Sequence, residues 1–436
     1  MQYRRMIVRV SSSAMRGLFV LLAFLLVVAL GYSGVRNAIA QHEVARNTLR
    51  GYERAARLEP DDAGIWYLLG RYWQYNLDSP DVPQAIADYQ KSLSFDDHSA
   101  DTWSDLATAY ESQGDIAAAA NAFLQAQQAY PQSPDIAWRY GNFLLRRGDL
   151  DAAFAQIKHA VRLNPKLAPG AFTLALRVQP DIRTALDRAL PASADALLNV
   201  IDSLSQQKRT DEAVIVWSRM AALSPHFPVS ASYPFIETLL QKYQIADAQR
   251  VWNDALGFAG VSPPADVPGS LVWDGGFESN VPGGGFAWRY PTAPGAVQIA
   301  LDQTEKHSGK RSLRLTFTGL DNVELRDLCQ VVAVQPSTSY LFSAWIRTDS
   351  ISTDQGVRFG LTPLVDSGGS VAWTDDVRGT QPWTRMSFSW TSPPNVQAAR
   401  MCVGRLPSAK FDNKIHGVAW IDDVALVPQS AENAAQ

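Results

Sequence analysis

Adjacent acidic residues occur at Asp375-Asp376 and at Asp422-Asp423 in the C-terminal third of this 436-residue chain. Two carboxylates hydrolyse a glycosidic bond when a deep cleft holds them on either side of it. Neither pair lies in a pattern that predicts such a cleft, although two carboxylates distant in sequence could meet in the folded chain. A hydrolase therefore stays as a third alternative behind two non-catalytic ones.

Other catalytic motifs are absent from the sequence, which has no GxSxG elbow, HExxH motif, phosphate-binding loop or dinucleotide-binding GxGxxG. The run Gly283–Gly285 is predicted to form a turn, because the lysine and helix of a phosphate loop are missing. Asp96-Asp97-His98 has the composition of a ligand cluster but falls at a predicted turn, where Asp is favoured. We therefore predict that the protein is not an enzyme.

Residues 102–131 place large apolar residues at helical spacing and small residues where two helices must touch. The positions concerned are Trp103, Leu106, Ala107, Tyr110, Gly114, Ala119, Phe123, Ala126 and Pro131. This pattern resembles the tetratricopeptide repeat, a helix–turn–helix unit of about 34 residues. One unit cannot bury its own apolar face, so neighbouring copies are expected.

Further copies of the pattern lie on both sides of this stretch. Tyr52 matches the second helix of the first copy, and the other copies begin near Trp66, Ala137, Leu197 and Phe235. Three prolines between residues 167 and 191 are predicted to shorten the helices there. The resemblance extends over about residues 29–256, and we assign the solenoid to 36–256. It implies an all-α solenoid whose concave groove binds a peptide or another protein.

Aromatic residues recur through the array at Trp66, Trp103, Tyr110, Trp217 and Trp252. Their spacing is the packing spacing of the repeat, so we interpret them as core residues rather than as a binding stripe.

The N-terminal segment joins a basic stretch, residues 1–16, to an uncharged apolar run from Gly17 to Gly34. As a helix this run would be about 27 Å long, close to the roughly 30 Å hydrocarbon core of a bilayer. We predict a transmembrane anchor at 17–35 in a bacterial inner membrane, with residues 1–16 in the cytoplasm and the domains in the periplasm or outside the cell. The alternative is a signal peptide cleaved after Ala38-Ile39-Ala40.

Helical spacing ends at residue 256. Residues 257–270 have the Pro and Gly content of a linker, and residues 271–428 contain short alternating runs separated by turn residues. The clearest runs are RSLRLTF, CQVVAV, SYLFSAWIR, VRFGLTP, RMSFSW and VAWIDDVALV. This pattern predicts an all-β jelly-roll sandwich, followed by a disordered tail at 429–436.

Several landmarks of this region resemble carbohydrate-binding modules of the family four/nine, galactose-binding-like type. In order they are Leu271–Ser279 with Trp288, His307–Lys310, Gln330, Tyr340–Arg347, Pro382–Thr384 and Ile421–Val424. The resemblance implies that Leu271–Ser279 is the first strand. Asp274 departs from the pattern, since relatives carry Asn there.

The resemblance also implies a structural calcium ion that ties the start of the domain to its last strand. The matching residues are Glu278, the backbone around Lys310, and Asp422 or Asp423. Calcium prefers several hard oxygen donors, which carboxylates supply. The alternative is that Asp422 and Asp423 cap an edge strand.

Modules of this type bind sugars by laying an aromatic ring against a pyranose, with polar side chains on the hydroxyls. Our candidates are Trp373, Tyr290, Trp383 and Arg405. Trp373 is the ring expected to be exposed. Trp383 and Trp288 match positions that usually pack in the core.

Cys329 and Cys402 are the only cysteines, and they fit no zinc-binding spacing. A disulfide between them is expected if this region lies outside the cytoplasm, and two buried free thiols are the alternative.

These predictions together describe a membrane-anchored adaptor of the bacterial envelope. Its repeats would bind envelope or polysaccharide-assembly proteins, and its sandwich would bind polysaccharide during assembly or export. The main alternative is a structural interaction protein whose sandwich has no sugar site. A net charge of −4 gives no reason to expect nucleic acid.

Overall fold

The computed structural model describes residues 13–262, 264, 267–281, 283–291, 297–365 and 370–429. Most of the predicted basic segment 1–16 and nearly all of the predicted tail 429–436 lie outside these residues. The chain divides into two compact units, Met1–Val178 with Asp187–Pro191, and Gln179–Leu186 with Ala192–Gln436.

The first unit consists of helices arranged in consecutive pairs. They are α1 Ser13–Ala45, α2 Leu49–Leu58, α3 Ala63–Tyr75, α4 Val82–Phe95, α5 Ala100–Gln113, α6 Ile116–Ala129, α7 Pro134–Arg146, α8 Leu150–Leu163 and α9 Ala168–Val178. A shorter helix, α10 Ile182–Ala189, includes residues of both units. The predicted all-α repeat region is confirmed.

Aspartates fix the starts of the second helices. Asp81, Asp115 and Asp149 precede α4, α6 and α8, and each side chain accepts a hydrogen bond from the backbone N–H three residues later, at 3.0–3.3 Å. These bonds satisfy N–H groups that lack a partner within the helix. Gly114 ends α5 with φ of 83°, a conformation that glycine adopts without strain.

Small residues on the first helix of a pair leave room for large side chains of the second helix. A Cβ at Gly70 would lie 2.6 Å from the ring of Tyr89, so only glycine fits there. The half-buried Trp66 and Trp103 donate from their indole nitrogens to the carbonyls of Pro60 and Asp97, at 2.7 and 2.8 Å. These two rings therefore belong to the packing of the repeats.

Helix α1 combines an apolar span with the first helix of a repeat pair. Among the described residues it is the one helix long and apolar enough to cross a membrane, a property that anchors and signal sequences share. Its C-terminal part packs on α2, where Ala40 is completely buried beside Tyr52. Arg36 forms a two-bond ion pair with Glu59 at 2.8 and 3.0 Å.

The second unit contains four further helices and the sandwich. The helices are α11 Ala194–Gln206, α12 Thr210–Ala221, α13 Tyr233–Gln241 and α14 Ile245–Phe258. The strands are β1 Val297–Asp302, β2 Ser312–Thr318, β3 Leu325–Ala333, β4 Ser339–Ile351, β5 Arg358–Pro363, β6 Ala372–Trp373, β7 Gly379–Thr391, β8 Ala398–Arg405 and β9 His416–Pro428. Trp217 and Trp252 are buried in the helical part, as their spacing predicted.

The strands form two antiparallel sheets, one of order β1-β2-β9-β4-β7 and one of order β3-β8-β5-β6. Alternate side chains of each strand point between the sheets, and the rest point outward. In β2, for example, Leu313, Leu315 and Phe317 are buried in the shared core. The predicted β-sandwich is confirmed, and each of the six alternating runs overlaps a strand.

Leu271–Ser279 does not form the first strand that the resemblance implied, so this prediction is wrong. Asp274 and Phe277 adopt positive φ of 57° and 58°, which breaks an extended chain into turns. The Asp274 carboxylate accepts the backbone N–H groups of Glu278 and Ser279 at 2.6 and 2.9 Å. Aspartate tolerates this left-handed conformation as asparagine does, which explains the departure at this position.

Candidate functional site

The outer face of the four-stranded sheet carries a row of residues that runs across its strands. Arg289 pairs with Cys329, Cys329 with Cys402, Cys402 with Gly360, and Gly360 with Trp373. Residues paired in this way point to the same side of a sheet. Phe359 and Leu361, which flank Gly360, point to the core instead.

Trp373 lies at one end of this row and covers the backbone of two neighbouring strands. A Cβ at Gly360 would lie 2.6 Å from its ring, and one at Gly404 would lie 2.9 Å away. The ring is half-buried, so one part packs on the sheet and another part remains accessible to solvent. Two glycines thus create the flat support on which this tryptophan rests.

A charged cluster accompanies Trp373 on the same sheet. Asp376 contacts the guanidinium groups of Arg358 and Arg378 at 3.4 and 3.2 Å, and accepts the backbone N–H of Gly356 at 2.7 Å. Arg358 is paired with Gly404, beneath the tryptophan ring. None of the predicted site residues belongs to this cluster, and Asp376 was named above only as part of the acidic pair Asp375-Asp376.

The other end of the row opens into a cavity of about 530 Å³. Its lining includes Glu237, Gln241, Arg326, Asp327, Leu364 and Arg400. The first two belong to α13 and the others to the sandwich. In the described part of the chain, no ion pair involves Arg400, which points outward from β8.

A second aromatic group occupies the outer face of the five-stranded sheet. His307 stacks on Trp345 at 3.9 Å between ring centroids, and Trp383 approaches the same imidazole edge-on at 5.7 Å. The histidine Nδ1 lies 2.6 Å from the carboxylate of Asp423. Trp383 therefore lies on the opposite sheet from Trp373.

The predicted calcium residues surround the loop between β1 and β2. Glu278 accepts the backbone N–H groups of Lys310 and Arg311 at 2.6 and 3.1 Å, and Asp422 accepts those of His307 and Ser308 at 2.8 and 3.1 Å. Asp422 is completely buried, and this burial, with a smaller contribution from the charge of Asp423, raises its pKa to about 6.

Three side chains can hold a metal ion directly when their donor atoms lie close to one another. Within the described ranges, the only three His, Cys, Asp or Glu donor atoms within 4.8 Å of one another belong to Asp96, Asp97 and His98. These residues are exposed at the turn between α4 and α5, as expected from their sequence position. The carboxylates of Glu278, Asp422 and Asp423 do not meet as closely.

The remaining two predicted sugar-binding residues lie away from the row. Arg405 is completely buried, and its guanidinium donates to Gln355, Asn322 and other oxygens of the loops around it. Burial lowers its pKa. Tyr290 follows Arg289 in the chain and is 39% exposed; partial burial and the charge of Asp274 raise its pKa to about 12. The structure therefore does not bring Trp373, Tyr290, Trp383 and Arg405 together.

Cys329 and Cys402 form a disulfide between β3 and β8, on the outer face of the sheet. They occupy the middle of the row, between Arg289 and Gly360. The bridge therefore forms part of the floor beside the cavity.

A polar network links the first helices of three repeats in the first unit. Asp105 of α5 is only 4% exposed and lies 2.7 Å from Arg139 of α7 and 3.7 Å from Arg71 of α3. The hydroxyls of Tyr67 and Tyr75 on α3 also donate to it, at 3.1 and 3.5 Å. Burial, followed by the charge of Asp105, raises the pKa of Tyr67 to about 12.

The fold and these sites define a repeat protein that carries a β-sandwich module. Residues 104–168 match the family model described as "Tetratricopeptide repeat", and residues 269–405 match that described as "Carbohydrate binding domain". The first match is to a module class associated with protein partners, and the second is to one associated with carbohydrate binding. None of the curated protein sequences compared with this chain matches it.

Several solved structures are similar to a part of the chain. YrrB, titled a TPR protein with an unusual peptide-binding site, is 16% identical over 49% of this chain and 94% of its own, with a TM-score of 0.26. PilF of Pseudomonas aeruginosa is 15% identical (53% and 95% covered, TM-score 0.29), and yeast Tom70 is 21% identical (47% and 43% covered, TM-score 0.29).

Proposed function

We propose that this protein is a non-catalytic adaptor of the bacterial envelope, anchored in the inner membrane by α1. Its repeats bind protein partners, and its sandwich binds a polysaccharide along the row from Arg289 to Trp373. Both matched families are non-catalytic, which supports the absence of an enzymatic role. A membrane anchor, a protein-binding array and a sugar-binding module in one chain suit the assembly or export of an extracellular polysaccharide.

The observation that carries the glycan site is the position of Trp373. Its ring lies close to the backbone of Gly360 and Gly404, the residue is half-buried, and it shares a row with the polar cavity. A supported aromatic ring binds the apolar face of a sugar without losing conformational freedom. The donors and acceptors of the cavity are then available for the hydroxyl groups.

Replacing Trp373 by alanine is expected to raise the Kd for a bound polysaccharide about tenfold or more, because truncating an aromatic anchor costs about 2 kcal/mol. The measurement is affinity electrophoresis and calorimetry of the full chain in detergent. Trp383→Ala is the matched control, since it removes a half-buried tryptophan from the other sheet. Equal losses in the two variants, or unchanged binding by Trp373→Ala, would contradict the assignment. If the unmodified chain binds no glycan, the structural interaction protein becomes the better description.

The continuity of α1 supports an uncleaved anchor. Cleavage after Ala40 would cut within the helix and remove the Arg36–Glu59 ion pair from the first repeat pair. Ala40 is itself buried, so a signal peptidase would need this pair to be unfolded. We expect N-terminal sequencing of membrane-extracted protein to show that residues 13–40 are retained. A mature chain that starts at Gln41 would contradict the anchor.

We also propose that calcium binds beside Asp422, with Glu278, Asp423 and the backbone of Lys310 as the surrounding oxygens. The residues suit a hard cation, because the buried Asp422 carboxylate accepts N–H groups but forms no ion pair with a described cationic side chain. A bound calcium ion would neutralise the acidic pair and link the start of the domain to β9.

Removing calcium is therefore expected to lower the melting temperature of the sandwich. The measurement is calorimetry with a calcium chelator, followed by addition of calcium or, as the control, magnesium. Recovery with calcium alone is the expected result, since magnesium dehydrates reluctantly and needs a stricter octahedral site. If the chelator leaves the melting temperature unchanged, Asp422 and Asp423 serve only as hydrogen-bond acceptors for the loop.

A further inference from the structure

We propose that helix α13 of the repeats supplies one wall of the glycan groove, so that repeats and sandwich together bind one neutral polysaccharide chain. The inference rests on the proposed glycan-binding function of the sheet and adds a second contributor to it. Glu237, Leu240 and Gln241 of α13 line the same cavity as Arg326 and Arg400 of the sandwich.

Polar contacts fix the wall to the sandwich. Glu237 forms an ion pair with Arg289, the residue that begins the row, and also accepts the backbone N–H of Gly285 at 3.2 Å. Arg289 donates in turn to the carbonyl of Gly285 at 2.7 Å. Because Arg289 pairs with Cys329 through its backbone, these bonds connect α13 directly to the edge of the sheet.

Aromatic packing fixes the same junction. Trp252 of α14 contacts Trp273 edge-on at 5.4 Å and stacks on Tyr233 of α13 at 6.2 Å. A Cβ at Gly285 would lie 2.9 Å from the Trp252 ring, and one at Gly284 would lie 2.3 Å from the Tyr233 ring. The glycine run therefore permits close contact between the loop and the helices. A wall held in this way is preorganised for a ligand.

The lining favours a neutral chain over a charged one. Among the described residues, three arginines and two carboxylates line the cavity, a net charge of +1. Arg289 is paired with Glu237 and Arg326 with Glu324, so the groove has no strong net field for an anionic polymer. Arg400 and the Gln241 amide supply donors, while Asp327 and the same amide supply acceptors, which suits the vicinal hydroxyls of a sugar. Leu240, Val331 and Leu364 supply apolar surface for its ring face.

The dimensions suit several sugar units rather than one. The cavity volume of about 530 Å³ lies within the range of ligand sites. Three strand spacings of about 4.8 Å, roughly 14 Å in all, separate Cys329 from Trp373 along the row. A chain laid across the strands would therefore contact α13 at one end and Trp373 at the other.

The test uses the full chain in detergent, with calorimetric titration of neutral hexasaccharides (cello-, xylo- and manno-hexaose) and of hexagalacturonate as the anionic probe. Gln241→Ala is expected to weaken neutral binding about three- to tenfold, as loss of hydrogen bonds predicts. Gln241→Trp, which fills the groove, is expected to weaken it further. Lys242→Ala is the matched control, because Lys242 is exposed on the same helix end but does not line the cavity.

The outcomes separate this inference from the proposed function. Neutral binding that depends on Trp373 but is unchanged in both Gln241 variants would overturn the role of α13 and leave the sheet site intact. Stronger binding of hexagalacturonate than of every neutral probe would overturn the assignment to a neutral chain. An unmodified chain that binds none of the probes would overturn both proposals.

Discussion

Replacing Asp105 by alanine is expected to destabilise the repeats around α5 by about 3 kcal/mol. Asp105 is the shared acceptor for groups on α3 and α7, so one substitution affects three repeats. The loss is larger than that of an exposed ion pair, because the partly buried Arg139 loses the carboxylate 2.7 Å away and keeps only the more distant, exposed Asp135, at 3.9 Å.

The expected size follows from the environment of the carboxylate. Asp105 is 4% exposed, and its oxygens interact with Arg139, Tyr67 and Tyr75. Alanine removes every one of these interactions and fills little of the space. Burying polar groups without partners costs about 1–3 kcal/mol for each donor that cannot reach water.

Hydrogen exchange measured by mass spectrometry localises the effect, since the chain contains two compact units and a single unfolding midpoint would mix them. Amides of α3, α5 and α7 are expected to lose about two orders of magnitude of protection, which corresponds to about 3 kcal/mol. Glu111→Ala is the control, because it removes the neighbouring Arg146–Glu111 pair, in which the arginine is 57% exposed. A similar small loss in both variants would show that Asp105 is not the centre of the network.

Much of the repeat region follows from local sequence. The offsets around Trp103 and Phe123 repeat because each helix pair must bury the same positions, and the structure buries Phe123 and half-buries Trp103 against it. The repeat pattern does not predict the buried network around Asp105. Its importance arises from residues about 35 positions before and after it, and that spacing becomes visible only when the first helices of successive repeats are placed side by side.

The sandwich shows why strands are easier to predict than the faces of strands. An alternating run reveals a strand, but a shift of one residue exchanges its two faces. Gly404 points outward beneath Trp373, whereas Arg405, the next residue, is completely buried among loops. Trp383 and Trp373 likewise have similar surroundings in sequence but belong to different sheets. The register between strands decides which of the candidate residues lie side by side on one face and which lie apart.

The wall of the groove has no local sequence signal. Gly283–Gly285 predicts a turn, and the structure has a turn there, but its closeness to Tyr233 and Trp252 depends on residues more than 30 positions earlier. Glu237 lies in an ordinary repeat helix, and its partner Arg289 lies beyond the predicted linker. Contacts of this kind follow from tertiary packing alone, so the sequence reveals the two modules and not the groove between helix and sheet.

The double variant Cys329→Ser, Cys402→Ser is expected to lower the free energy of unfolding of the sandwich by about 4 kcal/mol. The two cysteines are 73 residues apart in sequence, and closing a loop of that length restricts the unfolded chain by about this amount. In the folded state the partners already lie opposite each other on β3 and β8, so the bridge requires no rearrangement of the sheet. Serine preserves the size of each side chain.

Two measurements check this prediction. Unreduced protein unfolded in denaturant is expected to contain no reactive thiol, and reduction is expected to shift the urea midpoint of the unmodified chain but not that of the double variant. The insensitive double variant is the control for effects of the reductant elsewhere. Two reactive thiols in the unreduced protein would show that the cysteines are free. The bridge lies in the row between Arg289 and Gly360, so its loss is also expected to weaken the proposed glycan binding. This weakening is expected only if the loss of the bridge also loosens the packing of the sheet.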